Sequence, residues 1–387
     1  MMLGLLLARS GVKVLVLEKH RDFLRDFRGD TIHPSTLEVL HELGMLEEFL
    51  KLPHQEVREL RAQFGDVLVP VASFSGLPVR CPYIAMIPQW DFLNFIARQA
   101  GRYPGFTLMM QAEVTGLLRN GEAIAGIQAK TPDGAIEVHA DLVVGADGRH
   151  SAVREQAGLE LVDLGAPIDA LWFRVSRRPS DPPDTMARFD RGSILVMLNR
   201  GDYWQCAFVI AKGSLELLRQ RGLEAFRSTI ASLLPFAADR MQELAAWDDV
   251  KLLTVQVNRL KSWTREGLLC IGDAAHAMSP VGGVGINLAV QDAVATANLL
   301  VGPLRAGVPS LASLQAVQRR RDFPTRVTQF AQVQVQNRIL QRVLASEGPL
   351  RVPSAVRLLG RYRWLQNIPA RMVGIGVRPE HVHTPAA

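Results

Sequence analysis

Residues 267–292 read GLLCIGDAAHAMSPVGGVGINLAVQD. The apolar run 268–271 has the character of a buried parallel strand, hydrophobic throughout because both faces are covered. It stops at Gly272-Asp273. Ser279-Pro280 follows, then glycines at 282, 283 and 285, and from Ile286 to Leu300 the apolar spacing is helical. The order is strand, acidic turn, glycine-rich loop, helix. An Asp at the carboxyl end of a parallel strand stands in the crevice where open α/β sheets bind ligands. Its carboxylate only accepts hydrogen bonds, which suits a hydroxyl-rich chain. Glycines let backbone N–H groups approach a flat or anionic ligand. The helix that follows begins with free N–H groups and the positive end of its dipole. Taken alone, the pattern also describes an ordinary strand-to-helix turn.

A second acidic turn lies upstream. Residues 141–154, DLVVGADGRHSAVR, give an apolar strand, the turn Gly145-Ala146-Asp147-Gly148 and a helix start near Ser151. Asp273 follows Asp147 by 126 residues (273 − 147). Two acidic turns at the ends of adjacent strands are what one dinucleotide crevice needs. Nearer the start, 2–10 forms a helix closed by Gly11, and VKVLVL (12–17) forms a strand with Glu18 and Lys19 directly after it. An acidic residue there can hold a ribose hydroxyl.

Together these stretches resemble the class A flavin monooxygenases, the para-hydroxybenzoate hydroxylase-like family. GDAAH, the Pro, the spaced glycines and GINLAVQD match its GD motif in order, and 141–154 matches its DG motif. The resemblance runs from residue 2 to about residue 375. It implies an α/β fold: a Rossmann-type FAD-binding lobe, N-terminally truncated, interleaved with a mixed β-sheet substrate lobe and followed by C-terminal helices. The FAD lobe takes 1–56, 88–160 and 261–310, the substrate lobe 57–87 and 161–260, and the helical region 311–387.

The resemblance also implies roles. Glu18 lies at the ribose, Lys19 beside it is a further cofactor contact, Arg28 contacts FAD ahead of the next helix, and Gln89 contacts the flavin nucleotide. The backbone near Val114 meets adenine. Asp147 serves both the FAD and pyridine-nucleotide regions, and Asp273 holds the ribityl chain. Pro280, Gly282, Gly283, Gly285, Ile286 and Asn287 line the flavin ring. His276, three residues past Asp273, is structural, and no catalytic base is named. The implied activity is a monooxygenase. NADH or NADPH reduces FAD, O2 forms a flavin C4a-hydroperoxide, and one oxygen atom passes to an aromatic or other hydrophobic small molecule. The alternatives are a reductase or epoxidase of the same superfamily, or a non-catalytic flavin-fold protein.

One departure stands out. The chain begins inside the helix that follows the family's GxGxxG strand and loop, and Gly4 is not a fingerprint glycine, so diphosphate binding passes to no residue here. Five buried apolar side chains of such a strand are worth about 7–15 kcal/mol, against a usual net stability of about 5–15 kcal/mol. The expectation is that the chain as written is poorly stable or a weak FAD binder, and that the natural protein is longer.

At 387 residues, with 48% apolar and 21% charged residues, the chain suits two globular lobes. Its net charge of +6 comes without a Lys/Arg run, so no nucleic-acid partner is expected. Arg319–Arg321 reads as a solvated helix face. Three cysteines without metal spacing suit a cytoplasmic protein. No apolar run approaches ~18 residues, so no membrane span is expected. Ser35 and Glu38 read as a capping box and His33 as structural. Trp172, Phe173, Met197, Trp204 and Phe208 read as the floor of an aromatic substrate site, or as sheet core. A helix is expected over 215–234. Helices over 311–320, 325–346 and 352–371 should pack across the FAD lobe or form a homodimer contact, with an irregular tail from 374.

Overall fold

The computed structural model describes residues 1–24, 30–183, 185–348 and 350–387. Seven helices matter to the site: α1 (Met2–Arg9), α2 (Pro34–Glu42), α3 (Gln89–Ala100), α4 (Gly285–Ala306), α5 (Leu311–Val335), α6 (Ser354–Arg361) and α7 (Arg363–Gly374). Four short strands matter with them: β1 (Val14–Glu18), β2 (Phe106–Met110), β3 (Val143–Gly145) and β4 (Leu268–Cys270). β1 runs parallel to β2, Val14 opposite Phe106. β3 runs parallel to β4, Val143 opposite Leu268. The two pairs belong to separate sheets. β4 is fully buried, as a parallel strand should be, whereas Leu15 in β1 is 37% exposed.

Residues Met2 to Ala8 of α1 are all buried. Gly4 is what lets the helix close on its strands: a Cβ there would lie 2.9 Å from Val16 Cγ2 and 3.0 Å from the Phe106 ring. Leu5 and Leu6 of α1, Phe95 and Ile96 of α3, and Val294 and Ala297 of α4 share one core. The segment Val281–Ala306 is long and apolar enough to cross a bilayer by composition, but 72% of its most apolar window is buried inside the protein.

The second lobe is a seven-stranded sheet in the order Lys251–Leu253, Ile168–Ser176, Tyr203–Ala211, Ser193–Asn199, Met186–Asp190, Glu59–Phe64, Val67–Ser73. It is mixed, because Met186–Asp190 pairs in parallel with Glu59–Phe64 while its other pairings are antiparallel. The parity of its strands decides between substrate floor and sheet core. Phe173, Met197, Trp204 and Phe208 face one way and pack with Phe226 and Ile230 of the Leu223–Leu233 helix. They are core. Successive side chains alternate, so Trp172, Val196, Gln205 and Ala207 belong to the other face. That is the face on which Ile194 and Val209 pack with Val281 of the glycine-rich loop.

Three helical expectations also change. The 215–234 helix is two helices, broken at Gly222, whose φ of 89° no helix tolerates. α5 runs straight through Pro324 and continues into a π-turn at Gln336–Leu340. The 352–371 helix breaks at Tyr362, which is extended, into α6 and α7. The tail is irregular and strapped down. Ala387 N donates to Arg9 O at 2.9 Å, Ser10 Oγ to Pro385 O at 2.8 Å, and Val382 N to Glu42 Oε2 at 2.7 Å.

Candidate active site

The two acidic turns end neighbouring strands. Asp147 stands two residues past β3, and Asp273 lies in the turn Gly272–Ala274 just past β4. Asp147 Oδ2 accepts from Val153 N at 3.2 Å, while Ser151 caps the short helix by accepting from Arg154 N at 2.9 Å. Asp273 hangs over the start of α4, since a Cβ on Gly285 would lie 3.9 Å from its Oδ1. The two carboxylates thus follow the ends of paired parallel strands.

Pro280 leads into the glycine loop. Gly282 (φ 80°) and Gly283 (φ 64°) both take the left-handed conformation that favours glycine. The Gly283 carbonyl receives Thr31 Oγ1 at 2.9 Å and His33 Nε2 at 3.0 Å. α4 has no side-chain cap, so the first-turn N–H groups of Gly285, Ile286 and Asn287 have no intrahelical partner. The Ile286 side chain turns into the main core. The Asn287 side chain turns to α2: its Oδ1 accepts from Ser35 Oγ at 2.5 Å and Thr36 Oγ1 at 2.9 Å. The expected capping box is thereby undone. Ser35 serves Asn287, Glu38 accepts from Arg80 N, and the N-cap of α2 is His33.

His33 is structural, and its charge state matters. A carbonyl only accepts, so His33 carries its proton on Nε2. Burial is the main cause that pulls its pKa from the ordinary 6.5 to about 4. Between those values the unfolded chain binds the extra proton, so this contribution is complete above pH ~6.5 and is lost as pH falls towards ~4; it is worth about 3 kcal/mol. Urea midpoints at both ends of that window should show His33→Gln losing less stability on acidification than wild type. Equal losses would contradict the assignment.

Other expected contacts fall in two groups. Gln89 begins α3, and its N–H donates to Asp30 Oδ1 at 3.2 Å, next to Thr31 and hence to the glycine loop. Glu18 ends β1, with exposed Lys19 beside it. Glu18 Oε1 accepts from His20 N at 3.0 Å, and Ala112 N donates to Glu18 O at 3.0 Å, which sets this strand end beside the half-buried Val114. Arg28 lies outside the described residues.

The structure adds residues that sequence reading passed over. Arg321 is not on a solvated face: it is 1% exposed. Its Nε donates to Asp292 Oδ1 at 2.9 Å and its Nη1 lies 3.2 Å from Glu380 Oε1. Asp292 Oδ2 accepts from Gly272 N at 3.0 Å and His276 Nε2 at 2.6 Å. Burial alone would raise the Asp292 carboxyl; His276 and Arg321 outweigh it and hold it below the ordinary range. Three glutamines of α5 and its π-turn brace the loop. Gln332 donates to Ser279 O at 2.9 Å and Val281 O at 2.8 Å, Gln336 to Ser279 Oγ at 2.6 Å, and Gln329 to Ala277 O at 3.2 Å. Their i, i+3, i+7 spacing was the available signal. Finally, Arg200, in the turn after Ser193–Asn199, pairs with Asp30 and donates Nε to Gln205 Oε1 at 3.0 Å. Burial raises the Asp30 carboxyl despite that pairing. Arg200 Nη1 and Trp172 Nε1 are buried donors without a partner.

The profile of the family described as an FAD binding domain matches residues 1–331. The chain belongs to that family. It is 33% identical over 362 residues to 6-methylpretetramide 4-monooxygenase of Streptomyces rimosus, across 92% of this chain and 84% of that protein. It is 27% identical over 318 residues to the 12-dehydrotetracycline 5-monooxygenase/anhydrotetracycline 6-monooxygenase of Streptomyces rimosus subsp. rimosus, across 76% of this chain and 59% of that one. The fold is shared with p-nitrophenol 4-monooxygenase PnpA of Pseudomonas putida (TM-score 0.73, 19% identity, 95% of this chain and 93% of that one). It is also shared with PqsL of Pseudomonas aeruginosa in complex with 2-aminobenzoylacetate (TM-score 0.74, 20% identity, 89% and 95%). This FAD binding domain protein is an FAD-dependent oxidoreductase, as the resemblance implied. The chemistry of the glycine loop is compatible with a flat ring and a polyol chain: no Cβ stands at Gly282 or Gly283, the start of α4 has no side-chain cap, and the Asp273 carboxylate lies beside it.

Proposed function

We propose that the protein hydroxylates a planar, oxygen-bearing aromatic small molecule at the junction of its two lobes. The balance is substrate-H + O2 + NAD(P)H + H⁺ giving substrate-OH + NAD(P)⁺ + H2O, with NADH or NADPH as donor. FAD, when bound, supplies the hydride-accepting and O2-activating chemistry. The chain's residues do the rest. Asp273 would hold the ribityl hydroxyls, and the backbone of 282–287 would cradle the ring. The positive end of α4 would stabilise negative charge on the ring edge it faces.

The observation that carries the substrate class is on the sheet face opposite the Phe226 core. Small Ala207 lies between Trp172 and Val196 in register. Trp172 Nε1 is an unpartnered donor on this face, and Arg200 Nη1 is another beside Gln205. An apolar shelf with two buried donors suits a flat ring system carrying carbonyl, phenol or enol oxygens. The relatives named for pretetramide and tetracycline intermediates support that reading. Three free, buried thiols are in keeping with a reducing compartment.

The test uses FAD-reconstituted protein, NADPH and a panel of polycyclic phenols under ¹⁸O2. The expected result is one ¹⁸O atom in the product, with NADPH consumption stimulated by at least about tenfold. NADPH oxidation that no phenol stimulates, with all O2 recovered as hydrogen peroxide, would overturn hydroxylation.

A further inference from the structure

We infer that α6, α7 and the adjoining edge of the β-sheet form a docking face for an anionic lipid bilayer. The face is apolar where a soluble helix should be polar. Trp364 (66% exposed), Ile368 (56%) and Met372 (39%) follow one another at i, i+4 and i+8 along the outer side of α7. Gln366, Ala370 and Gly374, on its inner side, are buried. Leu358 and Tyr362 extend the stripe onto α6, and Val67 and Leu68 extend it across the neighbouring strand edge. An open groove of about 560 Å³ runs between them, walled by Val67, Leu68, Val69 and Val352, with Arg351 and Arg357 on its lining.

Along α6, α7 and the residues that flank them the charge is of one sign, with exposed Asp66 the one acid beside Val67 at the strand edge. Residues 348–379 hold six arginines (351, 357, 361, 363, 371 and 378) and no Lys, Asp or Glu, so this segment carries +6, equal to the net +6 of the whole chain. All six arginines are exposed. Among the described residues none of them makes an ion pair. Elsewhere on the surface arginines do find carboxylates, as Arg58 does at Glu56 and Arg326 at Asp322.

Exposed Trp and aliphatic side chains ringed by guanidinium groups are the chemistry of a helix lying in the headgroup layer of an anionic membrane. A second copy of the chain would bring the same six positive charges against these six, whereas an anionic surface complements them. The inner side of α7 meets the flavin loop, since a Cβ on Gly282 would lie 3.5 Å from Val373 Cγ2. Docking would therefore set the loop about one helix diameter from the bilayer.

The test needs no activity, so it stands apart from the hydroxylation reading. Purified full-length protein is sedimented with vesicles of phosphatidylcholine alone, or with about one third phosphatidylglycerol. We expect at least about tenfold more protein on the anionic vesicles, released by ~0.5 M NaCl. Trp364→Ser with Ile368→Ser should lower binding by roughly tenfold, and so should Arg361→Gln with Arg363→Gln. Thermal midpoints equal to wild type would show that both variants fold. Equal binding to the two vesicle types, or variants that bind as wild type does, would overturn the proposal. So would a dimer in sedimentation velocity that the Trp364/Ile368 variant converts to monomer, because a second copy would then cover the face.

Discussion

Asp292→Ala is expected to abolish accumulation of folded protein, or to cut its stability by about 3–5 kcal/mol. The carboxylate is fully buried between His276, the Gly272 amide and Arg321. Removing it leaves Arg321, itself 1% exposed, with Glu380 as its remaining acidic partner. Breaking a buried network from one side costs about that amount, because Arg321 Nε, His276 Nε2 and the Gly272 amide lose their acceptor together and only Glu380 is left to offset the arginine. Against a usual reserve of about 5–15 kcal/mol the loss is close to decisive. The check is the urea midpoint with its slope, alongside soluble yield. Asp292→Asn, which keeps the shape and an acceptor for Arg321, should fall between wild type and the alanine variant. An alanine variant within about 1 kcal/mol of wild type would show that the hub contributes little.

Gly283→Val should weaken FAD binding by roughly ten- to a hundredfold, the equivalent of about 1.4–2.7 kcal/mol. Gly283 sits at φ 64°, where a β-branched residue is strained by about 1–3 kcal/mol. An added Cβ would also come 2.6 Å from Thr31 Oγ1, the hydroxyl that bonds the Gly283 carbonyl. To relieve both, the loop must move, and the backbone proposed to cradle the ring moves with it. Titrating FAD by quenching of its fluorescence measures the change. Unaltered affinity would mean that the loop does not carry the cofactor.

How much of this was legible follows from how local each signal is. The two acidic turns, the buried strand before Gly272 and the long helix after Gly285 are written in consecutive residues, so a single stretch sufficed. The substrate sheet was legible as strands but not as faces. Trp172 and Phe173 look alike in sequence, yet alternation sends one to the face that meets the glycine-rich loop and the other into the Phe226 core. Ser35 looked like a cap because Glu38 follows at the right spacing, and only the fold reveals Asn287, 252 residues away, as its partner. Arg321 and the glutamines at 329, 332 and 336 were misjudged for one reason. Polar residues at helical spacing describe a wet face just as well as a buried one that serves another segment's backbone, and only the partner distinguishes them.

The strapped tail bears on the order of assembly. Arg9 Nη1 bonds Thr384 O across 375 residues of chain. Closing a loop of that length from a disordered state costs about 5 kcal/mol in its length-dependent part alone. The strap therefore forms on a chain that is already compact. Because Leu5 and Leu6 share their core with Val294 and Ala297 of α4, the first helix has no finished shelter until some three hundred later residues have been made. During synthesis it emerges long before α4 and is among the last segments to be secured. Its apolar residues, Met2 to Ala8, therefore wait long for their core and are suited to a chaperone's protection in the meantime.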